Sequence, residues 1–255
     1  MTRIIGIIGG KGGVGKTSLV ANLGICLTEY GKDVVVLDSN LTTPNLGLHL
    51  GVPLYPKTLH DVLRGRARIN EAIYRHPTGL KIIPAGIALN DLRGVDPRDL
   101  PNALIDLLGN TDIIIIDASA GLGREALSAI ESADEIIIIT TPELPAVTDA
   151  LKTVKLAEQV GTKVLGVVVN RITGRSYEMS SSQIRSMLDV DVLAEIPEDV
   201  AVPESISKRT PVVHHKPHSP SSRSMRQFAA QLIGRQYMYA SRRPWYEKLF
   251  GALKI

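Results

Sequence analysis

The stretch Gly10-Lys11-Gly12-Gly13-Val14-Gly15-Lys16-Thr17 has the residue types and the spacing to do chemistry. It fits G-x-x-x-x-G-K-[ST], in which successive backbone N–H groups curl around phosphate oxygens. The lysine reaches the β and γ phosphates and the threonine hydroxyl holds Mg²⁺. Glycine is required because such a loop visits positive φ and approaches the anion closely. The expected ligand is a nucleoside triphosphate with Mg²⁺, with Ser18 following on the wall of the site. Gly10, Gly12 and Gly15 also satisfy G-x-G-x-x-G, with Asp38 spaced as a ribose-binding acid. That dinucleotide reading leaves Lys11 and Lys16-Thr17 without a role.

The loop must be carried by a strand and must open onto a helix. The apolar run Ile4 to Ile8 supplies the first. Leu19, Val20, Leu23 and Leu27, on one helical face, supply the second. Further strand-like runs follow at Val34 to Leu37, Leu80 to Ile83, Ile113 to Ile116, Ile136 to Ile139, Val164 to Val169 and Val192 to Ile196. Most are continuous, as strands buried on both faces are. Helical spacing marks Arg98 to Leu108, Arg124 to Ser132, Val147 to Val160 and Ser180 to Leu188, with Ser180 to Ser182 as a cap. The prediction is an α/β fold with a doubly wound, mostly parallel sheet. Ligands then sit beyond the carboxyl ends of the strands. Asp38 and Asp117 end two of the runs there, and a carboxylate at that place holds a Mg²⁺-bound water opposite Thr17. For Asp117 the alternative is a helix cap.

The chain of 255 residues is 44% hydrophobic and poor in aromatics, so its core must be Ile, Val, Leu and Ala. Its one cysteine, Cys26, excludes an internal disulfide and a single-chain Cys₄ cluster, and suits a reducing compartment. No apolar run has the length of a membrane span, and no signal peptide is expected. The net charge of +3 is unevenly placed. From Arg235 onward five basic residues (Arg235, Arg242, Arg243, Lys248, Lys254) face one acid, Glu247, which leaves the rest near neutral. An anionic partner is expected for the tail and nucleic acid is disfavoured for the body. The segment Pro211 to Ser224 reads as a loop before a last helix, Ser224 to Ile233. Its His214, His215 and His218 read as solvated rather than metal-binding.

Lys11, directly after the first loop glycine, narrows the class. It resembles the deviant Walker A lysine of the MinD/ParA/iron-protein family of dimeric ATPases, and the chain is similar to the MinD branch, its archaeal type above all. The likeness is carried by Met1 to Ala21, Val36-Leu37-Asp38, Asn45 to Leu48, Thr58 to Leu63, Glu71 to Tyr74, Asp117 to Gly121, Asn170-Arg171 and Ile196 to Asp199. The resemblance implies ATP and Mg²⁺ as cofactors and an ATP-dependent homodimer in which Lys11 reaches the partner's phosphates. It implies that Asp38 holds a Mg²⁺-bound water and that Asn45 sits in the first switch. Asn170 and Arg171 would then flank the adenine, with Pro197, Glu198 and Asp199 closing the other side. The family's second switch aspartate is here Asn40. An amide orients a water but cannot take its proton, so slow or partner-stimulated hydrolysis is expected. The family's Asp-x-Pro-Ala-Gly has become Asp117-Ala118-Ser119-Ala120-Gly121. The lone cysteine disfavours the iron-protein branch.

The tail carries a second expectation. Three segments are expected: an ATPase domain over 1–234, a linker over 235–243 and an amphipathic helix over 244–255, opened by Pro244. Trp245, Tyr246, Leu249, Phe250 and Leu253 form its apolar side, with Arg243 and Lys248 as flanking cations. This is the pattern of a helix lying in an anionic membrane interface. It resembles the targeting helix of bacterial family members. A cytoplasmic protein reversibly bound to the inner face of the membrane follows, acting with an unidentified activator or cargo to position division or other surface machinery. The alternatives are a ParA-like ATPase that binds DNA through a basic surface, and a nucleotide-gated module with little turnover.

Overall fold

A computed structural model describes residues 1–52 and 55–237. Eight strands form one sheet: β1 (Arg3–Gly9), β2 (Val34–Asp38), β3 (Tyr74–Arg75), β4 (Lys81–Ile83), β5 (Ile113–Ala120), β6 (Glu135–Thr140), β7 (Lys163–Ile172) and β8 (Val192–Pro197), in the spatial order β3-β4-β2-β5-β1-β6-β7-β8. Every pairing is parallel except that of β3 with β4. The doubly wound, mostly parallel expectation is met.

The isoleucine runs explain the layering. Side chains alternate across a strand, so Ile5, Ile7, Ile113, Ile115, Ile137 and Ile139 enter one core. Ile4, Ile8, Ile114, Ile116, Ile136 and Ile138 enter the other. On the first face lie α1 (Lys16–Glu29), α2 (Leu46–His49), α8 (Ala201–Ser207), α9 (Val212–His215) and α10 (Pro220–Leu232). The second face is covered by α3 (Leu59–Leu63), α4 (Leu100–Leu104), α5 (Arg124–Glu131), α6 (Leu144–Val160) and α7 (Ser181–Leu188). Each fully buried aliphatic chain contributes about 1.5–3 kcal/mol, and these strands bury nearly all of theirs.

Three segments differ from the sequence expectation. The stretch Arg98 to Leu108 is not one helix. It is the short helix α4 between two 3₁₀ turns, with Pro101 in its first turn. Proline fits there, having no N–H to donate further in. The last helix starts at Pro220 rather than Ser224, because the Ser219 side chain accepts from the Ser222 N–H and caps it. Pro211 to Ser219 is only partly loop: α9 occupies its start. There His214 Nε2 lies 2.7 Å from Glu29 Oε1 and His215 Nε2 lies 3.6 Å from Glu204 Oε2, so neither histidine is simply solvated. The two-residue strand β3 was not expected. Ser180 caps α7 as expected, with Gln183 completing a capping box. Among the described residues no helix is long and apolar enough to cross a membrane.

Candidate functional site

The strand order turns at β1, which lies between β5 and β6, and the glycine loop leaves its carboxyl end there. Two glycines are fixed by close approach. A Cβ at Gly10 would fall 2.4 Å from the Asp149 carbonyl of α6. Gly15, the residue before α1, has φ +99°, and a Cβ there would fall 2.3 Å from Asn170 Nδ2. That amide donates to the Val14 carbonyl at 2.8 Å, so Asn170 braces the back of the loop from β7. The α1 N-terminus meanwhile aims its free N–H groups into the space above the loop.

A cavity of about 550 Å³ opens at this end of the sheet. Of the residues singled out in the sequence, Gly12, Gly13, Gly15, Lys16, Thr17, Ser18, Asn40, Asn45, Asn170, Arg171, Pro197, Glu198 and Asp199 line it. Gly10 and Val14, although part of the loop, do not line the cavity. Lys11 is exposed and does not line the cavity of its own chain. Thr43, His49 and Ala120 complete the wall, together with Val202, Pro203 and Ile206 around α8 and Met225 of α10. These were missed. The α8 residues could have been found from their place just after Pro197-Glu198-Asp199, whereas nothing local marks Met225.

Beneath the cavity lie the two aspartates, paired in register on β2 and β5 and each 1% exposed. Asp38 is held by three backbone donors: Asn40 N–H at 3.1 Å on Oδ1, and Asn45 and Leu46 N–H at 3.1 and 3.0 Å on Oδ2. It therefore ties the loop after β2 and the start of α2 to the sheet. Burial first, then the neighbouring Asp117 charge, raise its pKa well above the usual carboxylate range, against those three N–H groups. Burial also pushes Asp117 up to about 6, opposed by the Thr17 hydroxyl and the Lys16 charge. Lys16 is itself nearly buried. Burial lowers its pKa and Asp117 partly restores it.

Asp117 Oδ1 is buried and has no hydrogen-bond partner among the described residues. An orphaned carboxylate oxygen beside a threonine hydroxyl and a lysine fits a hydrated Mg²⁺, which needs oxygen ligands and keeps most of its waters.

The remaining residues are placed as follows. The Asn40 amide is turned back on its own loop, with Nδ2 donating to the Thr43 carbonyl at 2.8 Å and Oδ1 accepting from Thr43 N–H at 3.1 Å. Arg171 has φ +61° and lies 3.8 Å from Glu198 Oε2. Asp199 lines the cavity, but its carboxylate accepts from Ala201 N–H and from the Ser221 N–H and hydroxyl. It thereby joins α8 to α10, and those hydrogen bonds outweigh partial burial to keep its pKa low. Burial holds His49 below its ordinary pKa, so its imidazole is neutral at pH 7. Arg235 packs over the Tyr30 ring at 5.1 Å. Arg243, Trp245, Tyr246, Lys248, Leu249, Phe250 and Leu253, assigned above to a membrane-facing helix, lie outside the described residues.

A protein-family model described as NUBPL iron-transfer P-loop NTPase, of the ParA group, matches residues 1–233. An uncharacterized ATP-binding protein from Methanocaldococcus jannaschii is 40% identical over 237 residues, which cover 93% of this chain and 90% of that protein. The septum site-determining protein MinD of Thermotoga maritima is 33% identical over 216 residues, covering 79% of this chain and 78% of its own. Among solved structures, the septum site-determining protein MinD from Pyrococcus horikoshii, complexed with Mg-ADP, has a TM-score of 0.88 at 38% identity and covers 91% of this chain and 96% of that one.

Proposed function

The chain belongs to the ParA/MinD family of P-loop NTPases, and on that footing we propose that it is a Mg-ATPase switch that dimerises with ATP and binds an anionic membrane through residues 244–255. In that state it positions division or other surface machinery. The observation that carries the reading is the pairing of a cavity lined by the glycine loop, Lys16 and Thr17 with an orphaned buried carboxylate oxygen on Asp117, while Lys11 stands exposed and does not line the cavity.

The residues divide the work. Lys16 and the N–H groups of Gly13 to Thr17 hold the phosphates, and Thr17 with Asp117 holds the metal's water shell. Bound Mg²⁺ would supply neutralisation of phosphate charge over the two buried carboxylates. Asp38 carries the state outward. Its carboxylate grips Asn40, Asn45 and Leu46, so any change in its charge or position is passed to α2. Lys11 supplies a cation to the partner's phosphates, where charge develops during transfer.

A row of exposed apolar residues supports self-association across this face. Leu122 (43% exposed), Leu144 (59%), Tyr177 (67%) and Val200 (73%) follow β5, β6, β7 and β8, on the side of the sheet where those strands end. Apolar side chains grouped at one rim mark a surface that becomes covered. A single tail is a marginal anchor, because the gain from five partly immersed apolar residues is offset by the ordering of the helix. Two tails on one dimer bind far better through effective concentration.

Low turnover is a second reading, favoured by the Asn40 amide being bonded to Thr43 rather than free to place a water. The test of the proposed switch is co-sedimentation with vesicles containing phosphatidylglycerol, in ADP or in a non-hydrolysable ATP analogue, for the full chain and for one ending at Gly234. Binding that needs both the ATP analogue and the tail supports it. Binding indifferent to nucleotide and tail overturns it.

A further inference from the structure

One cavity-lining side chain takes no part in the phosphate and metal chemistry above. His49 is the last residue of α2 and lines the cavity together with Asn45, the residue that precedes that helix. The start of α2 is tied to the Asp38 carboxylate through the Asn45 and Leu46 N–H groups. His49 lies at the opposite tip of α2, which meets the end of α8. Gly51, just past α2, is so close to the Arg209 carbonyl, just past α8, that a Cβ there would fall 2.9 Å from it. Ile206 near the end of α8, Met225 of α10 and Ser18 of α1 reach the same cavity from the adjoining sides. Apart from the Ser18 hydroxyl and one imidazole, these side chains are apolar.

The imidazole has no use in the folded chain alone. Among the described residues its ring makes no hydrogen bond or ion pair, and its only link to its surroundings is burial. A half-buried polar ring without a partner, facing a cavity, is a group set to meet a ligand. A neutral imidazole offers one N–H donor and one acceptor at fixed directions. That suits neutral hydroxyl or ring-nitrogen atoms rather than a phosphate, whose oxygens are taken by the loop on the other side.

We propose that His49 hydrogen-bonds the nucleoside half of the bound nucleotide, its ribose or base, and so sets specificity for that half while joining it to α2. The inference rests on the nucleotide reading of the site. Because Asp38 fixes the other end of the same short helix, His49 gives α2 a second contact that reports occupancy: one end senses the metal and phosphates, the other the nucleoside.

The test uses the full chain and two substitutions of similar size. His49→Gln retains a donor and an acceptor, whereas His49→Leu fills the space without either. Calorimetric titration with Mg-ADP and with magnesium tripolyphosphate separates the nucleoside from the phosphate contribution, and melting temperatures confirm folding. His49→Leu is expected to weaken ADP about five- to tenfold, the range of one hydrogen bond, and to leave tripolyphosphate unchanged. His49→Gln is expected to stay within about twofold of the parent for both ligands. Equal weakening of ADP and tripolyphosphate, or an ADP affinity unchanged in the Leu variant, would overturn the assignment. A parent chain that binds tripolyphosphate but not ADP would overturn the nucleotide reading itself.

Discussion

The buried carboxylate pair makes a sharp claim about stability: removing the charge of Asp117 should strengthen the empty fold while destroying its metal site. Asp117 and Asp38 face each other across paired strands at 1% exposure, and Asp117 is pushed from an ordinary 3.8 up to about 6, chiefly by burial. A folded pKa above the unfolded value means that stability is complete at low pH and is lost as pH rises through the folded pKa. Below about pH 4 the group is protonated in both states and costs nothing. Above about pH 6 the folded chain must ionise a buried acid that the unfolded chain ionises freely, a cost of about 3 kcal/mol. The compensation from Lys16 is already contained in that net rise. The Asp38 pair adds to the cost in the same direction. Asp117→Asn, which approximates the protonated acid, should therefore melt about 6 to 12 °C higher than the parent at pH 7.5 in EDTA without nucleotide. The gap should close toward pH 4. With Mg-ADP the order should reverse, since only the parent gains stability by binding. A variant no more stable than the parent at pH 7.5, or a gap that does not change with pH, would refute the reasoning.

Two further perturbations follow from the site. Gly15→Ala forces a Cβ into the space of Asn170 Nδ2 at a backbone angle that costs an L-residue about 1–2 kcal/mol, and breaks the amide bond to Val14; Mg-ADP affinity should fall at least about tenfold, and an unchanged titration would contradict it. Asn40→Asp should raise basal phosphate release, because a carboxylate can accept the proton of a water that the amide can only orient; an equal rate would show that the Asn40 side chain does not limit turnover.

The parts of the fold that sequence revealed are those in which one physical demand dominates. Ile113 to Ile116 and Ile136 to Ile139 are buried on both faces and could only be strands of a covered sheet, and Gly10 to Thr17 states its own geometry. Elements held by tertiary contact were less legible. Tyr74–Arg75 is a strand only because β4 pairs with it, and Arg98 to Leu108 has helical spacing that Pro101 interrupts. Ser219-Pro220 carries a helix start, a serine cap followed by proline, ahead of the equally cap-like Ser224. Within the site, Asp38 and Asp117 could be placed from their positions at the ends of apolar runs, although β5 continues past Asp117 to Ala120, but their mutual pairing depends on β2 and β5 being neighbours although 74 residues separate the strands' last and first members. Asp199 illustrates the converse. Its neighbours in sequence suggested a ligand, while its carboxylate holds two helices together through Ala201 and Ser221. His49 lies on a helix of only four residues, too short for any periodicity to show which way it faces.

In the proposed switch ATP, and not ADP, joins two chains through Lys11. Size-exclusion chromatography with light scattering measures this directly on the full chain with Mg²⁺ and either ADP or a non-hydrolysable ATP analogue. The expected mass is that of one chain, 27.6 kDa, in ADP and of two chains with the ATP analogue, with the shift abolished in Lys11→Ala although the analogue still binds. A mass that is the same in both nucleotides, or a dimer that forms equally well without Lys11, would contradict it.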